Sequence, residues 1–180
     1  MDLYQAIHQR RTIHSYQAQP IPGDALDRVL DAAHMAPNHK LTWPWRFVLV
    51  GPETRQALLP IAFELKRAVD PVIQNKIREK LINPGALVVV TQIRSDDEFR
   101  AHEDYAATCC AIQNMMLAAK AEGLGSKWST GALTQHPKIC NLFGISLDTE
   151  SVVGFVWLGV PSAVPAIERP PIERHIRHLP

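Results

Sequence analysis

Residues 86–93 read Ala-Leu-Val-Val-Val-Thr-Gln-Ile, an apolar run of β-branched side chains without alternation of polar and apolar positions. A strand with one wet face alternates with a period of two, so a run without alternation implies a strand covered on both faces. The chain must therefore bury this strand between layers, and two stretches have the periodicity to supply them. Leu26, Val29, Leu30 and Ala33 fall at i, i+3, i+4 and i+7, which predicts a second helix after the Pro20-Pro22-Gly23 connection. Tyr105 to Glu122 reads as a long helix, apolar over most of its circumference, with Lys120 in its last turn and Gly123 beyond it. This is the expected central buried helix.

Shorter signals fill in the rest. Residues 2–9 read as a first helix capped by Asp2, with Leu3, Ala6 and Ile7 on one face. Leu58, Ile61, Ala62 and Leu65 predict a helix after Pro52 that Pro60 interrupts or restarts. Pro71 to Ile82 gives a further helical stripe, and His136-Pro137 opens a brief helix through Phe143. Trp45 to Val50 and Glu150 to Leu158 read as strands, and Leu124 to Gly131 as a short strand or loop. At 180 residues, with 46% hydrophobic and 21% charged positions, the expectation is a single α+β domain, residues 1–180. From Gly159 onward Pro161, Pro165, Pro170, Pro171 and Pro180 make 159–180 an extended C-terminal arm lying along the domain or a partner subunit.

Charge and motif content exclude several functions. A formal net charge of +1 provides no global field for nucleic acid or an anionic membrane. No run approaches the roughly 18 apolar residues of a membrane span. Met1-Asp2-Leu3 begins on amphipathic sequence rather than a basic start with an apolar core, so no export and a cytoplasmic location are expected. Cys109, Cys110 and Cys140 are odd in number, lack metal-ligand spacing and read as reduced, buried residues. His34 with His39, and His175 with His178, lack a third ligand, so no metal site is expected. Asp96, Asp97 and Glu98 read as a polar loop beside a strand. No G-x-G-x-x-G, P-loop or G-x-S-x-G sequence occurs.

Two stretches carry chemistry. Arg10-Arg11-Thr12 follows the first helix, and two guanidiniums with a hydroxyl can grip a phosphate, although an isolated Arg-Arg is more often a solvated pair. Ala36 to Val50 passes from turn chemistry, A-P-N-H-K-L-T-W-P-W, into a strand. Pro37 and Pro44 hold it extended, and its His39, Lys40, Trp43 and Trp45 could wall a flat ligand. Trp45 is the better candidate for a plain core residue.

Taken together these stretches resemble the nitroreductase family of FMN flavoproteins. Arg10-Arg11-Thr12 is similar to that family's basic step after the first helix, Ala36-Pro37 to Pro44-Trp45 to its A-P…P-W segment, and Ala119 to Gly125 to its A-x-x-x-G-L-G stretch. S-T-G-A-L at Ser129 to Leu133, with A-P-N-H-K, extends the likeness towards the compact NAD(P)H nitroreductase branch, over nearly the whole chain.

The resemblance implies a central, mostly antiparallel sheet flanked by helices in an intertwined homodimer. It implies an FMN cofactor with NADH or NADPH as hydride donor and a small aromatic substrate, nitroaromatic or quinone-like, reduced by ping-pong transfer. By the same resemblance Arg10, Arg11 and Thr12 hold the FMN phosphate and ribityl side, and Trp128, Ser129 and Thr130 line the flavin. Met35 and His39 reach the flavin of the opposite subunit. Ala118, Ala119, Lys120, Ala121, Glu122 and Gly123 match a stretch assigned to the nicotinamide cofactor, although a helix end with its glycine cap explains them without a ligand. No side chain is implied as a catalytic nucleophile. His14 stands where many members carry Arg or Lys, and Leu41 and Trp43 stand where many carry Asn and Gln. The apolar replacements at Leu41 and Trp43 leave open the alternative of a flavin-binding carrier or sensor with little turnover. A structural dimer without flavin is the third reading. Arg169, in the arm, is a loose match to a phosphate contact.

Overall fold

A computed structural model describes all residues from Met1 to Pro180. Four strands, β1 (Trp45–Leu49), β2 (Ala86–Ile93), β3 (Gly125–Ser129) and β4 (Glu150–Gly159), form one sheet in the order β1-β2-β4-β3, antiparallel at every pairing. Around it lie α1 (Leu3–Gln9), α2 (Gly23–His34), α3 (Pro52–Leu65), α4 (Pro71–Ile82), α5 (Glu98–Ala121) and α6 (Pro137–Leu142). This is the α+β architecture with a flanked antiparallel sheet that the sequence led us to expect.

β2 is central because its side chains serve two cores. Leu87 and Val89 enter one with Phe155 and Trp157 of β4, against Leu58 and Leu59 of α3, Ile77 and Leu81 of α4 and Ile139 of α6. Val88 and Val90 enter the other with Val156 and Leu158, against Val29 of α2 and Ile112 and Met115 of α5. Each fully buried Val or Leu contributes about 1.5–3 kcal/mol relative to exposure, so the alternation of β2 and β4 between two helical layers holds the fold. A register shift between Val90 and Thr91 marks a bulge in the β2–β4 ladder.

Several elements differ from expectation for identifiable reasons. α5 starts seven residues before Tyr105, because Asp97 caps it: its Oδ1 accepts from the backbone N–H of Phe99 (2.9 Å) and Arg100 (3.2 Å). Asp97 and Glu98 thus belong to a helix start rather than a loop. α3 runs unbroken through Pro60, which lies on its exposed side. α1 rests on α5 but buries only Ala6, leaving Leu3 and Ile7 exposed at 62% and 45%. Of the cysteines only Cys140 is buried; Cys109 is half-buried and Cys110 exposed, since adjacent residues on a helix point about 100° apart. Beyond Pro161 the chain has neither strand nor α-helix, only a short 3-10 turn at Ile172–His175. No helix is long and apolar enough to cross a membrane.

Candidate functional site

The segment after α1 runs extended along the outer edge of β3. Thr12 bridges Ser126 in parallel, the Ile13 N–H donates to the Ser126 carbonyl at 3.0 Å, and the Tyr16 hydroxyl donates to the Trp157 carbonyl at 3.2 Å. This close approach requires a glycine at 125, where a Cβ would lie 2.6 Å from Ile13 Cγ1. The consequence is a single extended segment with Arg10 to Thr12 at one end and His14 and Tyr16 at the other, beside two different cavities.

The smaller cavity, about 130 Å³, is lined by Arg10, Arg11, Thr12, Ile167 and Arg169. Three guanidiniums meet there with no carboxylate. Burial, then the charges of Arg169 and Arg11, push the Arg10 pKa down from its ordinary value. Arg11 is fixed by donating from one nitrogen to the carbonyls of His8 (2.7 Å) and Arg10 (2.9 Å) at the end of α1. Such an arrangement is electrostatically frustrated when empty and complementary to a phosphate.

The larger cavity, about 660 Å³, lies beside the β3–β4 half of the sheet, bounded by the end of α3 and by α4. Phe155 and Trp157 provide its aromatic side on the sheet, Ile73, Ile77 and Leu81 an aliphatic wall, and Ser129, Thr130 and Gly131 a polar edge. His14 and Tyr16 close the side nearest the arginines. Its size and mixture of apolar walls with few polar groups suit a flat organic ligand. Lys66, Lys76, Lys80 and Lys127 also line it. Burial, then the charges of Lys80 and Lys66, push the Lys127 pKa below the ordinary lysine value.

The Ala36–Val50 segment divides its two tryptophans. Trp45 is 3% exposed, and its Nε1 donates to His34 Nδ1 at 3.2 Å. Trp43 is 49% exposed, with Met35 and Leu41 still more so. The loop between them is held open by Asn38, whose Oδ1 accepts from the Trp43 N–H (2.6 Å), and by Thr42, which donates to Asp104 of α5 (2.6 Å). Lys40, Leu41 and Trp43 all have positive φ, 60°, 51° and 41°. Non-glycine residues in this region carry strain of order 1–3 kcal/mol each and persist only where surroundings impose it.

Of the residues singled out from the sequence, Arg10, Arg11 and Thr12 share the small cavity, and Ser129 and Thr130 line the large one. Trp128 pairs with Val156, so its indole packs into the core on the opposite sheet face, where Nε1 donates to the Val153 carbonyl at 3.3 Å. It does not line the large cavity, unlike its neighbours Lys127 and Ser129. Met35 and His39 are exposed and line neither cavity of their own chain.

Ala118 to Gly123 also line neither cavity; they close α5. The Gly123 N–H donates to the Lys120 carbonyl (3.1 Å), the Leu124 N–H to that of Ala119 (2.8 Å), and Gly123 adopts φ 77°. Glu122 is engaged by Arg28 at 2.7 Å. Sequence reasoning missed the four lysines, and left Arg169 outside the site. A usable signal for the lysines was present in α4: Lys76 and Lys80 recur on the same helical stripe as Ile73, Ile77 and Leu81.

Comparison with known proteins bears on this geometry. The Nitroreductase family model matches residues 7–160. The protein named "Putative NAD(P)H nitroreductase YfhC" of Bacillus subtilis (strain 168) is 34% identical over 174 residues, 91% of this chain and 86% of that protein. The structure of the nitroreductase-like family protein from Bacillus cereus superimposes with a TM-score of 0.87 at 27% identity, covering 99% of this chain and 96% of the other. The nitroreductase with bound FMN from Bacteroides fragilis shares the fold with a TM-score of 0.76 at 23% identity, each chain covered fully.

Proposed function

The chain belongs to the nitroreductase family, and from that premise we propose that it is an FMN-dependent NAD(P)H oxidoreductase that reduces nitroaromatic or quinone-like acceptors. The observation that carries this reading is the extended segment 10–16, which joins a pocket of three guanidiniums to a 660 Å³ cavity with aromatic and aliphatic walls. A molecule with a phosphate at one end and a flat ring at the other fits that pair of sites. The chemistry FMN supplies when bound is hydride carriage, accepted from NADH or NADPH and passed to the acceptor in ping-pong alternation.

The chain's own residues bind and shape. Arg10, Arg11 and Thr12, joined by Arg169 from the C-terminal arm, hold the phosphate with charge-assisted hydrogen bonds. Ser129 and Thr130 set the polar edge along the ring, with Trp128 contributing through its backbone. The aliphatic wall from α4 excludes water and leaves room for one flat partner at a time. Met35 and His39, exposed on a strained loop, reach the site of the opposite subunit in a homodimer. Ala118 to Gly123 play no part in this reading, because their helix-end geometry accounts for them.

The test is an anaerobic absorbance trace of protein incubated with FMN and desalted, before and after NADPH and then a nitroaromatic. A retained flavin spectrum that bleaches and then recovers is the expected result. Retained flavin that NADPH never bleaches makes the protein a carrier, and a colourless protein sinks the phosphate role of Arg10, Arg11 and Thr12.

A further inference from the structure

Four ammonium groups, Lys66, Lys76, Lys80 and Lys127, line the large cavity, and no aspartate or glutamate lines it with them. None of the four forms an ion pair; the ion pairs of the chain are Arg28 with Asp24 and Glu122, and Lys138 with Glu64. Three of the lysines are exposed, which by itself would describe a solvated face. Their placement argues otherwise. Lys76 and Lys80 lie on the stripe of α4 that carries Ile73 and Ile77 toward the cavity, whereas Glu79, the acid of that helix, does not line the cavity and accepts from Asn75. Lys127 is half-buried on β3, directly opposite Trp157, with no carboxylate to offset its desolvation. Partial burial without a carboxylate nearby makes the Lys127 ammonium more costly to hold than a fully solvated one, and an anion beside it would offset that cost.

The flavin proposed above does not supply that opposite charge. Its phosphate belongs with the arginines of the smaller cavity, and its oxidised ring is neutral. Even with one lysine assigned to the ring, three positive charges remain along the lining of the same cavity, and a cleft lined by one sign of charge concentrates ligands of the other. Resting on that flavin reading, we propose that the lysines form an anion site that selects flat acceptors bearing a carboxylate or comparable anionic group. Ser129 and Thr130 on the same edge offer hydroxyls that can share the anion with Lys127.

The test uses three ligands of matched size, 4-nitrobenzoate, 4-nitrobenzamide and 4-nitrobenzylamine, titrated calorimetrically into flavin-loaded protein without a hydride donor. Flavin occupancy is read first from absorbance. The expected order is anion, neutral, cation, with the benzoate bound about tenfold more tightly than the benzamide, a difference of about 1.4 kcal/mol. Lys76→Gln, an exposed change that leaves folding intact, and Lys127→Gln should each bring the ratio to about threefold or less, by weakening benzoate more than benzamide. Raising NaCl from about 50 mM to about 500 mM should narrow it as well. Equal affinities for benzoate and benzamide in the unmodified protein overturn the anion site while leaving the flavin reading standing. Absence of retained flavin overturns both. In parallel titrations with the oxidised nicotinamide cofactors, a Lys76→Gln change that weakens NADP+ but not NAD+, with the benzoate preference intact, assigns the lysines to the donor's extra phosphate and overturns the acceptor assignment.

Discussion

Replacing Arg10 with methionine separates a ligand-gripping role from a structural one by the sign of its effect on the flavin-free protein. Methionine keeps an unbranched apolar stem and removes only the guanidinium, so loss of packing is small. Unit charges about 6 Å apart repel by about 0.7 kcal/mol in water-like surroundings and about 2.8 kcal/mol at an effective dielectric constant of about 20. Arg10 is half-buried and Arg169 exposed, so the lower part of that range applies, about 1 kcal/mol. Relief of that repulsion should leave the flavin-free variant as stable as the parent or up to about 1 kcal/mol more stable, a rise of about 2–4 °C in Tm for a chain of this size. With FMN the sign reverses. A hydrogen bond to a charged group contributes about 1.5–3 kcal/mol, so FMN should bind about 10- to 150-fold more weakly. Urea unfolding of flavin-free protein and equilibrium dialysis of FMN measure the two quantities. A variant that loses more than about 1 kcal/mol of stability while binding FMN normally would refute the reasoning and make Arg10 a scaffold residue.

Three further outcomes are expected. Gly154→Ala places a Cβ into the Trp128 indole and 2.9 Å from the Ser129 carbonyl, so it should cost about 1–3 kcal/mol in urea unfolding and weaken FMN retention by displacing β3; an unchanged unfolding midpoint would contradict the packing described. Thiol labelling followed by mass spectrometry should modify exposed Cys110 first. Cys109, whose thiol is raised above its ordinary pKa mainly by burial, should follow slowly, and buried Cys140 only on unfolding; early labelling of Cys140 would count against the core around α6. Trp43→Ala, at a half-exposed side chain without a hydrogen bond from its indole, should change the unfolding free energy of dilute protein by less than about 0.5 kcal/mol. In sedimentation at rising concentration the same variant should self-associate more weakly than the parent, and identical association would remove Trp43 from any subunit contact.

The legible parts of this chain were those whose causes are local in sequence. The unalternating run of β2, the stripe of α2 and the glycine stop after α5 each state their structure within about a dozen residues, and each element formed where its pattern placed it. That Arg10, Arg11 and Thr12 would lie side by side was legible for the same reason, since they are consecutive, and they line one cavity. Where local signals competed, the reading slipped: Asp96-Asp97-Glu98 has the composition of a loop, and only the hydrogen bonds accepted by Asp97 turn it into the start of a 24-residue helix.

What the sequence concealed is convergence. Arg169 stands 159 positions from Arg10 and reaches the same cavity only because the C-terminal arm returns to the end of α1. The four lysines come from the end of α3, from α4 and from β3, and each alone looks like an ordinary solvated charge. The exposed apolar residues were illegible for the opposite reason. Leu3 and Ile7 have the periodicity of a buried face, and in the single chain they are bare, as are Met35, Leu41 and Trp43 on the strained loop and Phe99 at the start of α5. The loop that presents Leu41 and Trp43 to water carries positive φ at Lys40, Leu41 and Trp43, strain that persists only where surroundings impose it, as the bonds from the Trp43 N–H to Asn38 and from Thr42 to Asp104 do. The homodimer proposed above would give these exposed apolar residues a partner. Within the single chain α1 buries only Ala6, so the apolar pattern of Leu3 and Ile7 finds no core there to satisfy it.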